Sequence, residues 1–131
     1  MDSLLLQDWV TVSNGGAGNQ SAVAQGAPGY LDVSEYEDLV FYLHIATPIS
    51  PSIPPTPNIP LISYQTAPSA EDSAFLTMFQ LPNSFLGGGT RADVVLGRYA
   101  LVPPAKYVRW ICSGTGYICT FRIWVAGFRL P

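Results

Sequence analysis

The sequence predicts an all-β protein, an antiparallel β-sandwich of the jelly-roll kind with long proline-rich and glycine-rich loops. Three observations point there. Apolar and polar residues alternate with period two in several short runs, LVFYLHI at 39–45 and KYVRWIC at 106–112 among them. Twelve glycines and twelve prolines are scattered through 131 residues and leave little room for a long helix. Turn signals separate the runs at intervals that suit roughly seven to nine short strands. The length fits a single domain over 1–131 with one core.

In chain order, LLLQDWVTVS (4–13) is a first strand with Leu4, Leu6, Val10 and Val12 inward. Asp8 and Trp9 break the alternation, which predicts a bulge. NGGAGNQSAVAQGAPG (14–29) is small, polar and glycine-rich, so residues 1–29 divide into a strand and a flexible loop. YLDVSEYEDLVFYLHIA (30–46) holds a short strand, a turn and a longer strand. Leu39, Phe41, Leu43 and Ile45 form its core face, with Val40, Tyr42 and His44 opposite.

TPISPSIPPTPNIP (47–60) carries six prolines and is neither helix nor central strand. It reads as an extended arm whose Pro48, Pro51, Ile53, Pro54, Pro55 and Pro57 lie on a neighbouring molecule, or as a loop folded back on its own domain. LISYQTAPS (61–69) is a strand, and AEDSAFLTMFQL (70–81) an acidic turn followed by a strand or short helix. GGG at 87–89 opens another loop, and ADVVLGRYALV (92–102) is a strand closed by two prolines.

KYVRWICSGTGYICTFRIWVAGF (106–128) reads as a hairpin turning at Thr115-Gly116. Cys112 then faces Cys119, Trp110 faces Phe121 and Val108 faces Ile123, on the core side with Val125. The outer face carries Tyr107, Arg109, Ile111, Thr120, Arg122 and Trp124, with the two arginines opposed. Aromatic and arginine residues together suit an interface, and Tyr107, Arg109, Arg122 and Trp124 are the candidates. A loop of the same subunit is the plain alternative cover. The two cysteines form either a disulfide or a buried thiol pair.

Charged residues make up 11% of the chain, well below the ordinary quarter, although 48% is hydrophobic and 12% aromatic. Either part of the surface faces other molecules in an assembly, or the surface is polar through Ser, Thr, Asn and Gln instead of charge. Residues 1–90 contain eight acids and no Lys or Arg, while residues 91–131 contain Lys106, five Arg and only Asp93. A sandwich interleaves its halves, but a dipolar surface would favour head-to-tail contacts between copies. The net charge of −3 and the absence of a basic cluster argue against nucleic acid. No run approaches the ~20 apolar residues of a membrane span, and MDSLLLQDWVTV lacks the basic start of a secretory signal.

Catalytic chemistry finds no support. His44 is the one histidine, mid-strand beside Tyr42, and reads as structural. The carboxylates at Glu35, Glu37, Asp38 and at Glu71, Asp72 fall at turns, where acids are common. LGGGT lacks the lysine of a phosphate loop, and the cysteine spacing fits neither zinc nor a redox pair. No catalytic, cofactor-binding or metal site is expected.

YLDVSEYEDLVFYLHI, ISYQTAPSAEDSAFLTMF, AKYVRWICSG and CTFRIWVAGF, in that order, resemble small β-sandwich proteins of tailed-bacteriophage structural gene clusters. The shared layout is an LDVS-x-Y-x-DLV strand, a Q-T-(A/S)-P strand with an acidic turn, a YVRW strand and a final TF-x-I strand. The resemblance implies a virion component: a capsid decoration or cement protein, or an accessory head or tail protein. It implies no cofactor, and as partners the major capsid protein, other virion proteins and further copies of the chain, a trimer included. It places the protein on the capsid surface after synthesis in the host cytoplasm. Similar layouts occur in carbohydrate-binding jelly rolls, and Trp9, Trp110 and Trp124 are the candidates for such a role.

Overall fold

The computed structural model describes residues 1–14, 22–46, 61–80, 89–96, 103–113 and 117–129. The expected proline arm and the Thr115-Gly116 turn lie outside the described residues. The strands are β1 (Asp2–Asn14), β2 (Val23–Ala24), β3 (Leu31–Asp32), β4 (Asp38–Ile45), β5 (Leu61–Ala67), β6 (Leu76–Gln80), β7 (Gly89–Leu96), β8 (Tyr107–Ser113) and β9 (Tyr117–Phe128). Short 3-10 turns at Ala27–Gly29 and Asp72–Ala74 are the only helical elements among the described residues.

Two antiparallel sheets pack face to face. The first runs β1-β9-β4-β7, the second β2-β8-β5-β6, with β3 also on β8. β2 and β3 both pair with β8 and act as one interrupted strand. Counting them so, the sheets read 1-8-3-6 and 2-7-4-5, the order of an eight-strand double-sheet jelly roll. Only the β5–β6 link joins neighbours within a sheet; every other link crosses the sandwich.

That topology corrects the expected final hairpin. β8 pairs with β5 and β9 with β1 and β4, so the two strands face each other across the core instead of lying side by side. The core face itself is as expected: Val108, Trp110, Cys112, Cys119, Phe121, Ile123 and Val125 are all buried. Trp110 meets Phe121 edge-on, with ring centroids 5.1 Å apart, and Phe41 stacks on Tyr64 at 4.0 Å. β4 alternates strictly, with Leu39, Phe41, Leu43 and Ile45 inward, because β9 holds it in one unbroken register, while its pairing with β7 shifts between Phe41 and Tyr42.

β1 carries the expected irregularity. Its pairing with β9 slips between Leu5 and Gln7 and again between Gln7 and Val10. The slip frees the Leu6 carbonyl, which accepts a 2.6 Å bond from the Gln25 side chain. Gln25 also donates to the Gly29 carbonyl and accepts from the Trp110 amide, and Gln7 accepts from the Trp110 indole at 2.9 Å. One buried amide thus ties the bulge of one sheet to the middle of the other. Residues 22–29, read from sequence as loop, instead contribute β2, the first 3-10 turn and this staple. The strand expected over 92–102 begins earlier, at Gly89, and residues 97–102 lie outside the described residues.

Candidate functional site

The four hairpin residues marked for an interface do not share a face. Tyr107 and Arg109 belong to β8 and the second sheet, Arg122 and Trp124 to β9 and the first. The opposed arginines of the hairpin are therefore on opposite sides of the sandwich, and the repulsion expected between them does not arise.

On the second sheet the outer face is covered from within. Register places Arg109 beside Gln65, and Arg109 Nε donates to Gln65 Oε1 at 2.9 Å. Its Nη1 donates to Tyr30 Oη at 3.1 Å and to Asp72 Oδ1 at 2.5 Å. The guanidinium also lies 4.1 Å from the Phe75 ring centroid and 5.7 Å from that of Tyr30. Tyr30 and Phe75 meet edge-on at 4.8 Å, so segments from two distant parts of the chain close over one cation. Arg109 is 5% exposed as a result. Tyr107 stays half-buried, with the Lys106 ammonium 5.3 Å from its ring centroid.

The first sheet presents a different outer face. Register aligns Leu5, Trp124 and Tyr42 across β1, β9 and β4, and Arg122 with His44 one row further along. Both Arg122 Nε and Nη2 reach His44 Nδ1, at 3.2 and 2.8 Å, which makes that nitrogen the acceptor. The β1 bulge brings Trp9 over this pair: the guanidinium is 4.7 Å from its ring centroid and the imidazole stacks at 6.3 Å. Trp9 is 46% exposed and Leu5 40%. Met1, Ser3, Tyr42 and Trp124 line an open depression beside them. His44 therefore orients Arg122 and Trp9; nothing marked that triad in sequence, because its members lie on three strands brought together by register.

At one edge, Asp2 Oδ2 accepts from Tyr36 Oη at 2.7 Å and from Arg129 Nη2 at 2.9 Å, and Arg129 reaches Glu35 at 2.8 Å. The Tyr36 hydroxyl, then Arg129, holds the Asp2 carboxyl below its ordinary value. The Ser34 hydroxyl and amide do the same for Asp32. Cys112 and Cys119 are both buried as thiols. Burial, and secondarily the neighbouring Cys112, pushes the Cys119 thiol up to about 12. A thiol so placed is a poor nucleophile and behaves as a small apolar group. Among the described residues no group of three or more His, Cys, Asp and Glu side chains is arranged to hold a metal ion.

No family model matches the chain, and no curated protein matches it. Among solved structures it is similar to VP2 of infectious bursal disease virus, solved as a subviral particle, with a TM-score of 0.57 at 6% identity over 98% of this chain. The match covers 32% of VP2, so the chain spans about a third of that protein's length. What the two chains share at such identity is the β-sandwich architecture, here carrying one outer face closed by its own loops and one that exposes tryptophan and leucine beside an arginine.

Proposed function

We propose that the protein is a structural virion component that decorates or cements a tailed-bacteriophage capsid through contacts between subunits, on the capsid surface and without catalytic chemistry. The observation that carries this reading is the outer face of the first sheet. Leu5, Trp9, Tyr42 and Trp124 gather there around Arg122, a composition typical of the core of a protein interface. The architecture supports the reading, since double-sheet jelly rolls serve as shell-building domains, and VP2 was solved as a subviral particle. Each square ångström of apolar area covered at such a contact contributes ~25 cal/mol, multiplied over many copies.

Co-sedimentation of the purified protein with capsids, with the bound copies counted per shell, tests the proposal. Stoichiometric binding is expected, and Trp9→Ala should reduce it. Deleting residues 48–58 should lower occupancy while leaving the isolated fold intact if the arm lies on the shell. A protein that ignores every shell tested sinks the proposal. The exposed Trp9 beside Arg122 and His44 favours one second reading, a carbohydrate-binding module. Hits on a glycan array that vanish with Trp9→Ala, together with no shell binding, would establish it instead.

A further inference from the structure

We infer that the two outer faces of the sandwich are complementary, and that the Trp9–Arg122 face of one copy receives the Glu71–Asp72 turn of a second copy. Each patch has what the other lacks. On the first sheet, Arg122 meets His44 and the Trp9 ring, and no carboxylate among the described residues pairs with it. Asp8, adjacent to Trp9, turns Oδ1 to the Trp9 amide at 2.8 Å. The guanidinium is thus a half-buried cation framed by exposed apolar side chains.

The turn on the second sheet is its counterpart. Glu71 is exposed, and the Asp72 side chain is 84% exposed although one oxygen meets Arg109. Four residues after Asp72 in the chain, at the start of β6, Leu76 is a large apolar residue that is 64% exposed. Docking this turn on the open face would give Arg122 a carboxylate and would shield the exposed Trp9 and Leu5 from water. Charge-assisted bonds of arginine to carboxylate are the strong kind, and they strengthen as the surrounding apolar groups exclude water.

Because the patches lie on opposite faces, the contact is heterologous: each copy uses one face to receive and the other to insert. Such contacts propagate to a closed ring or an open chain. The inference goes beyond the decoration role and is separable from it. A protein that binds shells yet remains monomeric in solution overturns this inference and leaves that role standing; self-assembly without shell binding does the reverse.

The test is a charge swap read by sedimentation velocity. Wild type should self-associate, and less so in high salt. Arg122→Glu and Glu71→Arg should each weaken association at least roughly tenfold, since like charges then face each other. A mixture of the two variants should recover it. At one contact the carboxylate introduced at position 122 meets the guanidinium introduced at position 71; at the next, the unaltered Arg122 meets the unaltered Glu71. Circular dichroism checks folding, and Arg122→Gln serves if the reversal disturbs the sheet. A monomeric wild type, a Glu71→Arg variant that assembles like wild type, or a mixture that fails to recover would each overturn the inference.

Discussion

Arg109→Ala tests whether the second sheet is closed by that one cation. The substitution removes bonds to Gln65, Tyr30 and Asp72 and the contact under Phe75. Breaking a fully buried ion pair costs about 3–5 kcal/mol, because the abandoned partner keeps an uncompensated charge. Here the Asp72 side chain is 84% exposed and rehydrates at once, so that penalty largely disappears. What remains is the lost packing beneath Phe75 and two half-buried polar groups in need of water, together about 2–3 kcal/mol. For a domain of this size that is a fall of about 10 °C in Tm. Arg109→Met keeps the stem volume and should cost about 1 kcal/mol. Asp72→Asn, acting on an exposed partner, should cost less than about 1 kcal/mol. Urea unfolding followed by tryptophan fluorescence ranks the three. If Asp72→Asn proves as costly as Arg109→Ala, or if Arg109→Ala is nearly neutral, the closure is not built on Arg109.

Three further outcomes follow from the same contacts. A Cβ on Gly127 would sit 2.5 Å from Tyr36 Cδ1 and 2.8 Å from Cγ, so Gly127→Ala should destabilise by about 1–3 kcal/mol; in a Tyr36→Ala background the penalty should vanish, which a double-mutant cycle in urea would read. The Cys119 thiol, raised from an ordinary 9.0 to about 12, ionises far more readily unfolded than folded. Its stabilising contribution is therefore complete below pH 9.0 and is lost as pH rises toward 12, and native protein at pH 8 should take up iodoacetamide at Cys119 only as fast as it unfolds. Asp2 has the opposite sign: its lowered folded value makes it stabilising above the ordinary 3.8, with the contribution lost as pH falls through the folded value. Tyr36→Phe should flatten the stability profile in that acid range, as read by urea midpoints at successive pH values.

Much of the fold was legible because period-two alternation reports which side chains share a face. It says nothing about which strand lies alongside. Val108, Trp110 and Cys112 share the core with Phe121, Ile123 and Cys119 whether the strands are hydrogen-bonded neighbours or stand across it. The buried set was thus recovered while the hairpin was not. The choice between the two arrangements is made by long-range pairing, β8 with β5 and β9 with β1 and β4, which no local pattern contains. Gln25 was lost for a related reason. In a run of glycine, alanine and serine a glutamine looks like loop polarity, and only the slip in β1 supplies the bare carbonyl that makes it a staple. The Arg109 enclosure and the Trp9–His44–Arg122 triad likewise need residues from separate stretches of the chain.

The same crossing of the sandwich explains what becomes of the charge asymmetry. Acids crowd the first two thirds of the chain and arginines the last third, yet, with β2 and β3 counted as one interrupted strand, every link but β5–β6 passes from one sheet to the other. Late strands are thereby inserted between early ones, β9 between β1 and β4, β8 between β2 and β5. Arg109 meets Asp72, and Arg129 meets Asp2 and Glu35, so each of these ion pairs joins the acidic part to the basic part inside one subunit. Part of the Coulomb attraction between the halves is thereby met within one subunit. Arg122 departs from that pattern: β9 carries it to the middle of a sheet face where its neighbours are a histidine and a tryptophan. A cation left in that setting, with apolar side chains around it, favours an acidic partner from outside the subunit.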